Sequence, residues 1–337
     1  MSSRQPTPTV SQGAKSAVNY IQKQKWLKCG FLKVQEVDFR RPLRLAAYHA
    51  YSIWLFTYTD LKTIIGPSLL FALVTSPALS VFGMPNAAPI DFLRRAPLSL
   101  WWLWINLLPF TIDNQRHAES IAEDKINKPW RTLPSQRMTP GQARNLAISL
   151  YSLAIISSFF IGGLEQCLSL IVVGVWYNDF QGAEGVLPRH LINAFGYRCF
   201  NTAALEVALG GRDFRSSTSL MVWEAIISGL VFTTIHSMDM YDQEGDASRN
   251  RKTLPLAIGD NLGRWCLAFW MTIWSVVCPT YIGAPLIGFV LMTGLGGLIS
   301  VRYLLCRTVA DDLMTFMLWN VFMVAIYMLP LLRPNMS

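Results

Sequence analysis

The stretch "STSLMVWEAIISGLVFTTIHSMDMYDQEGD", residues 217–246, decides how the chain is read. Its first two-thirds is apolar apart from Glu224 and is long enough to cross a bilayer as a helix, which takes roughly 20 residues. Its end gathers three aspartates and a glutamate in eight positions, Asp239 to Asp246. An apolar span that runs straight into concentrated negative charge implies a membrane helix with a cation-binding end.

The rest of the chain repeats the first half of that pattern. Of its 337 residues, 52% are hydrophobic and 15% charged, with a mean hydropathy of +0.32. A soluble domain carries about a quarter charged residues, so the composition is that of a polytopic membrane protein. Nine spans are expected, at 64–83, 97–115, 145–163, 164–177, 190–210, 217–237, 264–282, 284–300 and 313–332. Polar residues interrupt the fifth, and Gly162 and Gly163 join the third to the fourth. The expected fold is all-α, a polytopic bundle of about nine transmembrane helices around a central cavity. Residues 1–50 form a basic N-terminal segment, with nine Lys or Arg against Glu36 and Asp38, and 51–337 form the transmembrane domain. Met1 to Gly13 is expected to be disordered, and 14–44 to hold either a surface helix or a solvated tail.

The formal net charge of +8 does not imply nucleic acid, because the basic residues lie between spans and not on one polar face. Such loops orient the chain and meet anionic lipid or phosphate. With nine spans the strongly basic loops share the N-terminal side, which is therefore expected to be cytoplasmic. The six cysteines show no CxxC spacing and read as packing residues.

Both strongly acidic loops fall on that same side. In "HSMDMYDQEGDASRNRKTLPLAIG", residues 236–259, Asp239, Asp242 and Asp246 stand at i, i+3 and i+7. On a helix they would share an arc of roughly 60°. Carboxylates so crowded at a membrane boundary need a cation among them. All-oxygen ligands suit Mg²⁺ together with a substrate phosphate. Arg249, Arg251 and Lys252 follow at once as diphosphate-binding candidates. In "DNQRHAESIAEDKINKPWRTLPSQR", residues 113–137, the metal candidates are Asn114, Glu119, Glu123 and Asp124, with Lys128 and Arg131 for the diphosphate. Lys62 either reaches the same anion or snorkels to the interface. Asp60 stands beside it at the start of the first span, and Asn178 and Asp179 either line the cavity or cap a loop. Glu224, well inside the sixth span, is a functional candidate because a membrane carboxylate normally faces a cavity. His117 and His236 flank the acidic loops and read as hydrogen-bonding groups, since zinc would require more nitrogen or sulfur ligands.

These residues resemble the UbiA superfamily of intramembrane prenyltransferases. Asp239, Asp242, Gly245, Asp246, Thr253, Leu254 and Pro255 match its second motif, DxxDxxGD…TLP. Asp124, Asn127, Pro129, Arg131, Pro134 and Ser135 match the segment that follows its first. The first motif itself departs: where N-D-x-x-D is expected stand Arg116, His117 and Ser120, with Asn114, Gln115, Glu119 and Glu123 nearby to substitute. That divergent form, with "TDLKTIIGP" in the first span, resembles the fungal branch that includes membrane terpene cyclases. The resemblance implies a Mg²⁺-dependent enzyme of the endoplasmic reticulum that ionises a prenyl diphosphate, expected to be farnesyl diphosphate, and cyclises it. Asp239, Asp242, Asp124 and Glu224 would be its catalytic residues. The alternative is transfer of the prenyl group to an aromatic or other small acceptor; a third reading is a non-catalytic transporter or lipid-binding scaffold.

Overall fold

The computed structural model describes residues 40–211, 214–248 and 251–333, with side chains from Pro42 onward. The expectations for 1–39, and Arg249, lie outside the described residues. Packing divides the chain into two units, Met1–His49 and Ala50–Ser337, and the second carries the helical bundle.

Described residues contain helices and no strand. Helix α1, Arg40–Thr57, passes through a 3₁₀ turn, Tyr58–Asp60, and a π turn, Leu61–Ile65, into α2, Gly66–Thr75, and a further 3₁₀ stretch, Ser76–Phe82. Helices α3, Pro89–Arg116, α4, Ala118–Asn127, α5, Pro140–Ile161, α6, Leu164–Asn178, and α7, Val186–Leu209, follow. Then come α8, Thr218–Thr234, extended by the 3₁₀ turn Ile235–Met238, and two short helices, α9, Gln243–Ser248, and α10, Leu254–Ile258. Helices α11, Asp260–Ile282, α12, Leu286–Leu305, and α13, Val309–Leu332, complete the bundle.

Every expected span coincides with a helical segment. Among the described residues six segments are long and apolar enough to cross a membrane: Pro42–Phe82, Pro140–Ile161, Thr218–Met238, Asp260–Ile282, Leu286–Leu305 and Val309–Leu332. Helices α3 and α7 carry too many inward polar residues to join them, and α6 has only 15 residues. The first segment starts well before residue 64, the start that hydropathy implied. Tyr58, Thr59, Asp60, Lys62 and Thr63 break the apolar run without breaking the helical path.

The boundary at Gly162 and Gly163 is a true break. Gly163 caps α6 at φ +76°, and a Cβ there would lie 2.7 Å from Trp102 Nε1. Only glycine combines that left-handed backbone with so close an approach of α3. Helices α5 and α13 begin with reciprocal capping boxes, Thr139 with Gln142 and Thr308 with Asp311, which satisfy orphan N–H groups at the membrane boundary. The core is one large cluster, in which Trp102, Trp223 and Trp319 are fully buried, with two smaller ones, around Phe56 and Leu108 and around Tyr177 and Ile192. Of the cysteines, Cys167, Cys199 and Cys278 are buried and all five described ones are free, as packing residues would be.

Candidate active site

A cavity of about 520 Å³ opens between the ends of α3, α7, α13 and the first segment, under the two acidic loops. Five carboxylates line it, Asp60, Glu123, Asp124, Asp239 and Asp242, with five cations, Lys62, Lys128, Arg131, Arg189 and Arg251. Phe110, Tyr177, Tyr197, Phe200, Tyr241 and Phe316 supply aromatic faces. Charge and apolar surface therefore share one chamber.

The first acidic loop is built on α4. Its inward face presents Ser120, Glu123, Asp124 and Asn127. Arg131 donates through Nη1 to both Asp124 oxygens, at 3.0 and 2.8 Å, and through Nη2 to Thr59 Oγ1 at 3.1 Å. Glu119 is exposed and does not line the cavity, whereas Glu123, buried one turn later, does. Asn114 lines the cavity and donates to Asn178 Oδ1 at 3.2 Å. Asn178 and Asp179 themselves stay outside it, Asp179 in an ion pair with Arg116 at 2.9 Å.

The second loop is not the single helix that the i, i+3, i+7 spacing implied. A 3₁₀ turn ends at Met238, Asp239 to Asp242 form a turn, and α9 begins at Gln243. The carboxylates are consequently separated and each meets its own partner. Arg189 Nη2 donates to Asp239 Oδ1 at 2.6 Å, and Arg251 Nη1 to Asp246 Oδ1 at 3.1 Å. Asn127 Nδ2 donates to Asp242 Oδ1 at 3.4 Å, tying the two loops together. Gly245 lets them meet: a Cβ there would stand 2.7 Å from Asp242 Oδ1 and 2.8 Å from Asn127 Nδ2. Asp246 is buried next to the lining, within the field of Arg189 and Asp239, and Lys252 is exposed outside the cavity.

Among the described residues no three His, Cys, Asp or Glu side chains converge as a ready ligand set. In the second acidic loop, Asp239 Oδ2 and Asp246 Oδ2 are nevertheless buried without a hydrogen-bond partner. A buried carboxylate oxygen without a donor is costly. Burial pushes Asp242 above the usual carboxylate range and Asp246 up to about 6, against the pull of Lys128 on the first and Arg189 on the second. Hard, oxygen-only and electron-rich, this donor set fits Mg²⁺.

Glu224 is a correction. It is buried on α8, accepts from Thr202 Oγ1 at 2.9 Å and faces Arg198, away from the cavity. Of its two oxygens only Oε1 takes a hydrogen bond, and Arg198 Nε stands 3.7 Å from Oε2. His236 is likewise internal, stacked on His190 with ring centroids 5.4 Å apart. Sequence reasoning missed Arg189, Asn106, Asn193 and Tyr197. Their signal was present: Arg189, Asn193 and Tyr197 recur every four residues, one inward face of the very helix whose polar interruptions weakened it as a span.

A helical membrane bundle with carboxylates and cations facing each other over an aromatic chamber defines an enzyme class that handles an anionic, largely apolar substrate. The UbiA prenyltransferase family matches residues 114–324, and the chain belongs to it. It is accordingly an integral membrane enzyme that uses a prenyl diphosphate, and the transporter or scaffold reading falls. Among its relatives, the fumagillin beta-trans-bergamotene synthase of Aspergillus fumigatus is 31% identical over 67% of this chain and 72% of its own length. A polyprenyl transferase of Hericium erinaceus is 26% identical over 64% and 70%. A UbiA homologue from Archaeoglobus fulgidus, bound to DMAPP and Mg²⁺, shares the fold with a TM-score of 0.52 at 15% identity, over 79% of this chain and 98% of that one.

The geometry separates the two glutamates of α4. Glu119→Ala should leave turnover near wild type, whereas Glu123→Ala should lower kcat by about 10²-fold, the scale for one electrostatic group. Pyrophosphate release from membranes carrying each variant checks this; equal loss in both would put Glu119 at the site.

Proposed function

We propose that this enzyme is a Mg²⁺-dependent terpene cyclase that ionises farnesyl diphosphate and closes the resulting cation on its own chain. The observation that carries the reading is the single chamber: charged at its mouth, aromatic beneath. Its five cations and five carboxylates nearly cancel, so they cannot by themselves neutralise a diphosphate. Asp239, Asp242 and Asp246, with Asn114, Glu123 and Asp124 opposite, would hold the metal. Mg²⁺, when bound, stabilises the charge that builds on the departing diphosphate.

The chain's own groups do the rest. Arg189, Arg251, Lys62, Lys128 and Arg131 donate to the anion as its bond to carbon lengthens. Phe110, Tyr197, Phe200 and Phe316 fold the prenyl chain, exclude water and turn π faces toward the cation. The beta-trans-bergamotene synthase relative supports internal capture. Transfer to an acceptor is the second reading, favoured by the polyprenyl transferase relative and by Asn106, Thr111 and Asn193. These are polar side chains inside the chamber, a second polar cluster that was not visible along the spans. The basic loops support a cytoplasmic chamber mouth, in the endoplasmic reticulum.

One incubation tests the reading. Membranes containing the protein receive farnesyl diphosphate and Mg²⁺ with no acceptor, and a cyclic hydrocarbon is expected. Product only after an aromatic acceptor is supplied rejects the cyclase. The metal dependence should itself depend on pH. Asp246 titrates at about 6 and must be ionised to bind a cation, so the Mg²⁺ concentration for half-maximal rate should rise as pH falls through that value. A flat requirement from about pH 8 to about pH 5, a window that brackets this titration, removes Asp246 from the metal site.

A further inference from the structure

Asp60 belongs to neither acidic loop, yet its carboxylate lines the same chamber, from the first segment. The backbone puts it there. Thr57 at φ −105°, ψ −6° and Asp60 at φ −95°, ψ −2° leave the α-helical geometry, and the π turn 61–65 follows. This break turns Thr59, Asp60, Lys62, Thr63 and Ile64 all to the cavity, more consecutive residues than one face of a regular helix can present.

One oxygen of Asp60 is fixed and the other is not. Thr59 Oγ1 donates to Asp60 Oδ2 at 3.0 Å and accepts from Arg131 Nη2 at 3.1 Å, and Arg131 in turn grips Asp124. Asp60 Oδ1 receives no hydrogen bond from any described residue. Lys62, Lys128 and Arg131 supply nearby positive charge, and Tyr197 and Tyr241 are the rings within reach of its field. Of the acidic-loop carboxylates, Asp239 is tied to Arg189, Asp124 to Arg131 and Asp242 to Asn127, and in the reading above they would hold the metal together with Glu123. Asp60 is thus a chamber carboxylate with an open oxygen, held in orientation through Thr59 and within the field of Tyr197 and Tyr241.

We propose that Asp60 is the catalytic base that ends the reaction, taking the final proton from the cyclised cation; this rests on the cyclase reading. The allylic C–O bond breaks and its electron pair leaves with the diphosphate. A distant double bond of the chain attacks the cation and forms the ring C–C bond. A C–H bond beside the new cationic carbon then breaks. Its electrons become a C=C bond, and the proton passes to Asp60 Oδ1 and later to water. Hydrocarbon, diphosphate and one proton account for every atom. Before that step the same carboxylate stabilises the positive charge across a water-poor space.

The test measures, in membranes given farnesyl diphosphate and Mg²⁺, the ratio of principal hydrocarbon to pyrophosphate released. Asp60→Asn should lower that ratio by about a hundredfold, the scale of a positioned base, with water-quenched alcohols and other alkenes in its place. Asp60→Glu should recover much of it, and Thr59→Val should lower it less, because Thr59 only orients the base. An unchanged product spectrum in Asp60→Asn would make the diphosphate the base and overturn the proposal. So would parallel loss of pyrophosphate and hydrocarbon that Asp60→Glu does not restore, which would assign Asp60 to diphosphate binding. Failure of the cyclase reading is distinct: wild type itself would then release no hydrocarbon.

Discussion

Asp239→Asn should reduce kcat by about 10²- to 10³-fold, the loss typical of removing one preorganised electrostatic group, while the protein stays folded. The residue is 1% exposed and its carboxylate has two unlike oxygens. Oδ1 takes a 2.6 Å hydrogen bond from Arg189, and Oδ2 has no partner. An amide keeps the shape and one acceptor, so packing survives. It removes the negative charge that a cation at Oδ2 needs, and it leaves Arg189 without its counter-charge. Arg189 also donates to Tyr177 Oη at 2.9 Å, which keeps it in place. The check is pyrophosphate release over a Mg²⁺ titration, beside size-exclusion chromatography in detergent. A monodisperse variant with near-normal turnover would take Asp239 out of the metal site. Asp242→Asn should behave alike, with the added loss of the Asn127 tie between the loops.

Helix positions were legible in the sequence because lipid demands a long apolar run. What the same logic concealed was the chamber. Asp60, Lys62, Asn106, Arg189 and Asn193 all sit in helices, and each lowers the apolar signal of its segment. A hydropathy reading takes such residues as ends or weak spans, whereas they face inward on a continuous helical path. Spacing misled in the other direction at Asp239, Asp242 and Asp246. Their i, i+3, i+7 pattern reads as one helical face, but side-chain ties decide the local backbone. Ser237 bonds to Tyr303, and Arg189 draws Asp239 inward. Glu224 shows the limit of treating a membrane carboxylate as a cavity group. Thr202 donates to one of its oxygens and Arg198 stands 3.7 Å from the other, both from the neighbouring helix, and no sequence pattern announces a partner on another element.

Asp124→Ala should abolish activity and also destabilise the fold, and the two effects can be separated. Asp124 is 3% exposed, and Arg131, half-buried, grips both its oxygens. Removing one member of a buried pair strands the other, at a cost of about 3 kcal/mol or more. Arg131→Met in the same chain removes the stranded charge and keeps the bulk of the stem. The double variant should therefore regain most of the thermal stability that Asp124→Ala loses, and a double-mutant cycle gives the coupling. Activity should not return with stability, because the double variant lacks both a carboxylate at the chamber mouth and a cation for the diphosphate. Asp124→Asn supplies the complementary arm: it retains an acceptor for Arg131 and should fold well, yet stay slow by about 10²-fold. Recovery of turnover in the double variant would reduce Asp124 to a support for Arg131. The first acidic loop would then act through Glu123 and Asn114, and the divergence of its motif at Arg116, His117 and Ser120 would extend to Asp124 as well.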